Sequence, residues 1–313
     1  MRAVLAICFL VAAAPASAQG PFAITLLGTG NPRPSMERFG PSILVEAGET
    51  DILIDVGRGA LQRLFQIGAA EQIGAVDLVL FTHLHSDHVV GFPDLWLTGW
   101  VFGRDRPLPV LGPPGTQSMC DHLEEAFAFD RKVRGRDGRY SAAGVTIAVT
   151  DVDPGVVWEA GGVKVTAFEV DHGDGIAPAY GYRVDYGAYS AAFSGDMRYD
   201  ERIVEHAKGV DVLVMEVVSA ELEMRKAAVK DEATIAKIIA HHIGEEQAGS
   251  LFARIRPRLA VYTHVVPSPA VAEDLIPPTR RTYGGPLAVG YDLMQITIGD
   301  AVEVHPRRAL PDS

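Results

Sequence analysis

The chain has 313 residues, 48% of them apolar, and a formal net charge of -12 at neutral pH. That is enough apolar material for one large core, and no Gly/Ser linker, charge block or repeat divides it. Such acidity disfavours bulk capture of nucleic acid, which recruits Lys- and Arg-rich surface to neutralise phosphates, so small substrates are expected and no long nucleic acid.

Residues 1–18 read as a secretory signal peptide: Arg2, an apolar run from Ala3 to Ala14, then Pro15-Ala16-Ser17-Ala18 with small residues at the cleavage-determining positions. The run is too short for a lasting membrane anchor, and no later stretch holds the roughly eighteen uninterrupted apolar residues of a spanning helix. One soluble domain over 19–313, exported to the periplasm or beyond, is therefore expected, with a homodimer left open. Cleavage removes Cys8 and leaves Cys120 without a disulfide partner; its thiol reads as packing, not as a nucleophile.

Strands are expected over Phe22 to Leu27, Ser42 to Glu46 and Asp51 to Val56, the last two forming a hairpin across Ala47-Gly48-Glu49-Thr50. Gly59 to Gly68 carries apolar residues at helical spacing, ended by glycine. Between them lies Gly28-Thr29-Gly30, where Arg33 occupies the third position of a dinucleotide-binding triplet; a tight turn is the better account. Val76 to Phe81 is a buried strand. Further strands fall over Val145 to Val149, Val163 to Val170, Ala179 to Val184, Ser190 to Phe193, Val210 to Met215 and Leu259 to Thr263. Helices fall over Glu201 to Lys208, Glu232 to His241 and Glu246 to Arg254. Mixed strands with outer helices point to an α/β fold of four αββα layers. Trp96 and Trp100, at i and i+4, either pack in the core or wall an aromatic pocket.

Thr82-His83-Leu84-His85-Ser86-Asp87-His88 follows the strand ending at Phe81. Alternation along an extended tip sends His83 and His85 to one side, and a helix start can turn Asp87 and His88 toward a neighbouring point. This N/O donor set suits zinc, two ions of it, although manganese and iron share such ligands. Two ions need more donors, and three stand at the ends of later apolar runs: His172, Asp196 and His264.

The arrangement resembles the metallo-β-lactamase superfamily, whose H-x-H-x-D-H signature is matched in full. Leu27-Gly28-Thr29-Gly30-Asn31-Pro32, Leu53-Ile54-Asp55-Val56-Gly57 and Ser194-Gly195-Asp196 look most like the branch containing ribonuclease Z and a group of bacterial arylsulfatases. The resemblance implies that His83, His85 and His172 bind one zinc and Asp87, His88 and His264 the other, with Asp196 bridging. It implies a metal-bridging hydroxide as nucleophile, directed by Asp87. Glu216 and His242 match a Glu–His pair that protonates the leaving group in ribonuclease Z relatives, with His241 as a rival. Gly244 and Met215 depart from that pattern, standing where the family has threonine and histidine.

Bacterial ribonuclease Z carries a long tRNA-binding arm between the positions matched by His172 and Asp196, where only 23 residues intervene here. Together with export and acidity, this directs the expectation to an exported dinuclear zinc hydrolase of small phosphodiesters or aryl sulfate esters. A lactonase and a non-catalytic zinc-binding protein are the alternatives. His122, His206 and His305 read as surface residues.

Overall fold

The structure, a computed structural model, describes residues 20–136, 138–225 and 231–306; the expected signal peptide over 1–18 lies outside the described residues. The chain opens with β1 (Phe22–Gly28), β2 (Ser42–Ala47), β3 (Thr50–Ile54), α1 (Ala60–Ala75), β4 (Leu78–Leu80), α2 (Ser86–Val89) and α3 (Phe92–Val101). It continues through β5 (Leu108–Gly112), α4 (Thr116–Ala126), α5 (Ala128–Gly135), β6 (Ile147–Asp151), β7 (Gly155–Ala160) and β8 (Val163–Val170). Then come β9 (Ala179–Tyr186), β10 (Tyr189–Phe193), α6 (Arg202–Ala207), β11 (Val212–Val218), α7 (Ala220–Met224), α8 (Glu232–His241) and α9 (Glu245–Ile255). The described chain finishes with β12 (Leu259–Val266), α10 (Ala272–Thr279), β13 (Leu287–Val289), β14 (Met294–Ile298) and β15 (Val302–His305).

Two sheets form, in the orders β15-β14-β1-β2-β3-β4-β5-β6 and β13-β12-β11-β10-β9-β8-β7. Strand alternation explains how they stack. Leu78 and Leu80 face the space between the sheets, whereas Val79 and Phe81 face α1 and α3. In the second sheet Val212 and Val214 point inward, and Leu213, Met215 and Val217 point to the layer of α6, α9 and α10. Three apolar clusters thus separate four layers, and the central strands are apolar on both faces. Each buried side chain of this kind contributes about 1.5–3 kcal/mol.

Topology sets one functional rim. β8 and β10 are each antiparallel to β9 and therefore run the same way, and β10, β11 and β12 are mutually parallel. Their carboxyl ends meet along one edge, where β4 of the first sheet also ends. Helix α1 runs through Gly68 to Ala75 because packing of Leu61, Leu64, Ile67 and Ile73 outweighs the roughly 1 kcal/mol that glycine costs in a helix. Trp96 and Trp100 are core residues, their indoles donating to the carbonyls of Val145 and Ser141 at 2.9 and 2.8 Å, which is the packing alternative. Cys120 is buried, and that burial pushes its thiol up to about 12, which fits packing and not nucleophilic attack.

Candidate active site

Each nominated side chain reaches the rim by its own local device. His83 and His85 lie on the turn after β4, and His85 caps α2, which carries Asp87 and His88. His172 follows β8 and Asp196 follows β10 through Gly195, whose φ is +60°. His264 sits in a β-bulge: Glu216 pairs with Thr263 and Val217 with Val265, leaving His264 unpaired at φ +40°. A bulge re-aims one side chain of an otherwise regular strand, and here it turns His264 into the cluster. The Gly28-Thr29-Gly30 turn supports it from outside, the Thr29 carbonyl accepting from Val265 N at 3.0 Å.

All seven donors converge. His83, His85 and His172 form one group and Asp87, His88 and His264 another, with the donor atoms in each within 4.8 Å of one another. Asp196 Oδ2 is the hub, at 3.2 Å from His264 Nε2, 3.3 Å from His88 Nε2, 3.8 Å from His172 Nε2 and 4.0 Å from His83 Nε2. His85 turns Nδ1 inward, 2.9 Å from His83 Nε2 and 3.3 Å from His172 Nε2.

A layer behind these groups fixes the rings. Asp55, at φ +58°, accepts from Thr82 N and Thr82 Oγ1 at 2.8 and 2.9 Å and from His88 Nδ1 at 2.7 Å. Thr82 Oγ1 spends its proton on Asp55 and so accepts from His83 Nδ1 at 3.0 Å. The His241 carbonyl accepts from His172 Nδ1 at 3.0 Å. His83, His88 and His172 are therefore left with Nε2 lone pairs aimed at the hub. Asp55 is the residue that reasoning from composition and spacing missed; only its place in the Leu53–Gly57 run marked it.

The cluster suits cations. Burial drives His83 well below its usual range, aided by the neighbouring His88, and holds His172 at about 4 despite the pull of Asp196. Burial opposes the charge on Asp196, but its electrostatic interactions with the neighbouring His264 and His88 outweigh that and keep the carboxylate ionised. Neutral His83 and His172 and an ionised Asp196 are forms that bind metal, whereas His88, which burial would lower but Asp196 and Asp55 hold well above its usual range, gives up its proton when a metal binds. His88 Nε2 and Asp196 Oδ1 are buried without hydrogen-bond partners among the described residues, an arrangement that a cation satisfies.

Glu216, fully buried on β11, accepts from Met197 N at 2.5 Å and from His242 Nδ1 at 2.6 Å. Burial opposes protonation of His242, but the Glu216 carboxylate raises it to about 9. The His242 ring stacks against His264 at 5.5 Å and lines the cavity over the cluster. His241 reaches the cavity wall and its ring abuts Gly173; the carboxylate's partner is His242. Away from the site, His122 is exposed, while His206 stacks on Phe168 at 4.8 Å and His305 meets Thr297 at 2.8 Å.

Residues 50–265 match the family described as beta-lactamase superfamily domain. The chain is 35% identical over 294 residues to ribonuclease Z of Mycobacterium bovis (strain BCG / Pasteur 1173P2), covering 91% of this chain and 99% of that protein. It is 37% identical over 293 residues to ribonuclease Z of Mycobacterium marinum, with the same coverage. The crystal structure of the short form of human tRNase Z shares the fold with a TM-score of 0.66 at 19% identity, over 88% of this chain and 99% of that one.

These relatives overturn the expectation of small phosphodiester or aryl sulfate substrates, with its lactonase and non-catalytic alternatives, and that of no long nucleic acid partner. Two physical reasons explain the error. The matches run end to end, leaving no room in those relatives for a long inserted arm, so a short His172-to-Asp196 segment does not separate this chain from them. Net charge is a whole-molecule sum, whereas the cavity rim carries Lys237, for which no acidic partner is present among the described residues. The chain is a metal-dependent hydrolase and belongs to the ribonuclease Z family of the beta-lactamase superfamily.

Proposed function

We propose that this protein hydrolyses phosphodiester bonds in RNA, with His83, His85, Asp87, His88, His172, Asp196 and His264 holding two zinc ions. The observation that carries this reading is end-to-end identity of 35–37% with proteins named ribonuclease Z, joined to a Glu216–His242 pair standing beside a seven-donor cluster. Zinc is the choice because histidine and carboxylate donors in two compact groups are its usual surroundings in hydrolases. Bound there, two zinc ions supply Lewis acidity that lowers the pKa of water and neutralises phosphate charge.

The remaining work belongs to the chain. Asp87, with Oδ2 3.3 Å from His264 Nε2 and 3.6 Å from His88 Nε2, stands where it directs the attacking water. As the water oxygen bonds to phosphorus it releases a proton to solvent, and the bond to the leaving ribose oxygen breaks with its electron pair staying on that oxygen. His242 donates the proton that the leaving oxygen needs, and Glu216 steadies the imidazole throughout. The buried acceptors of Glu216 and Asp55 keep the rings in one tautomer through the cycle.

The test is a panel on zinc-loaded protein: a structured RNA with a single-stranded 3′ extension, an aryl sulfate and a lactone. RNA cleavage that stops on chelation and returns with zinc is the expected result. Failure to cut RNA at full metal occupancy would overturn the reading. We further propose that residues 1–18 direct export. Fractionation of cells expressing the full chain, beside one lacking 1–18, checks this; equal retention of both in the cytoplasm counts against it.

A further inference from the structure

Helix α8 turns one stripe toward the cavity of about 250 Å³ above the cluster: Lys237, Ile238 and His241, followed by His242 at its C-cap. The spacing is that of a single helical face. The opposite side is anchored, with Ile235 buried and the N-cap Asp231 accepting from Thr234 N at 2.9 Å. Of this stripe, Lys237 is the only fixed cation. It is exposed, and no carboxylate or other side chain engages it among the described residues. The other lining residues are the metal-type donors, Pro32, and the Ile238, His241 and His242 side chains.

We propose that Lys237 is a substrate-positioning residue, its ammonium holding the phosphate next to the scissile one on the leaving-group side of an RNA strand. The inference rests on the ribonuclease reading and deepens it. Its geometry comes from α8 itself: Lys237 precedes His241 by four residues, about 6 Å along the helix axis, and His242 comes next. A strand whose leaving oxygen meets His242 therefore continues along α8, and its next phosphate passes Lys237. An ammonium on a flexible stem suits that task, acting as a point charge without fixed orientation. Contact with a phosphate that does not react is made equally in ground and transition states, so its loss appears in KM and leaves kcat alone.

The experiment uses zinc-loaded full-length protein and a short fluorescein-labelled RNA strand, measured across a salt series. Each phosphate contact on a single strand contributes about -0.7 to the slope of log affinity against log salt. Lys237→Ala and Lys237→Gln should raise KM roughly tenfold or more, as expected for loss of a charge-assisted contact, with kcat and zinc content unchanged and the slope shallower by about 0.7. Lys237→Arg should keep the slope. A neutral methylphosphonate at the leaving-side neighbour should weaken the wild type and leave Lys237→Ala indifferent.

An unchanged slope in Lys237→Ala, or an equal methylphosphonate penalty in both proteins, would overturn the proposal. If both this strand and the structured RNA are left uncut at full zinc occupancy, the ribonuclease reading fails separately. The slope is then taken from equilibrium binding of the same strand, where loss of the Lys237 contribution still supports the phosphate contact and its absence still refutes it.

Discussion

His88 shows how much of this site depends on a residue that touches no substrate. Its Nδ1 donates to Asp55, which also takes both donors of Thr82, so a single buried carboxylate orders two rings of the cluster. Replacing Asp55 with Ala should leave the seven donors in sequence yet cost about ten- to a hundredfold in metal affinity, read by competition with a chromophoric chelator. Undiminished affinity in a folded Asp55→Ala protein would show that the ring orientations are held by other means. The H-x-H-x-D-H segment was legible because its donors are adjacent in sequence. Asp55 was not, because its meaning lies in contacts to residues 27 and 33 positions away.

His242 carries a second prediction at the same scale. Held up to about 9 by Glu216 against the opposing effect of burial, it keeps its proton at neutral pH and loses it as pH rises through that value. An activity requiring the protonated form should therefore fall on the alkaline side, and His242→Ala should lack that limb. An alkoxide leaving group needs the proton and a nitrophenolate does not. The variant should accordingly lose about a hundredfold to ten-thousandfold on RNA and far less on a nitrophenyl phosphodiester reporter. Equal losses on both substrates at full zinc occupancy would remove His242 from the acid role.

Among the elements, two kinds of strand were readable: Val212–Val218, buried on both faces and apolar but for Glu216, and Val163–Val170, where buried apolar residues are interrupted by exposed Lys164 and Glu169. Short pieces such as β5 and β13 lack that contrast, and β12 extends past its expected end at Thr263 to Val266. The bulge at His264 left no mark of its own in the residues, because it is defined by register against β11. The turn before Asp196 was recognisable as Ser194-Gly195-Asp196, yet its physical cause is spatial. At Gly195 a Cβ would come within 2.7 Å of the Tyr180 carbonyl and 2.9 Å of Thr82 Cβ, in a backbone already at φ +60°. Gly195→Ala should cost about 1–3 kcal/mol in strain and weaken metal binding by displacing Asp196. A variant with unchanged denaturation midpoint and zinc content would contradict that account.

At the scale of the whole molecule, the four layers follow from the apolar inventory, and their two sheets bring five strand ends to one rim. Net charge proved a poor guide to substrate, since an acidic total coexists with a cavity rim bearing Lys237 and a cluster arranged for cations. Chain length between two ligands was equally poor, because relatives of the same name align over their full length without a long insertion. The seven converging donors are proposed to make this chain a metal-dependent ribonuclease. Titrating zinc into metal-free protein while following cleavage of a labelled structured RNA tests it most directly. Activity should be absent without metal and rise to a plateau at about two equivalents, the number that the two donor groups can hold; full cleavage without metal, or none at saturation, would contradict it.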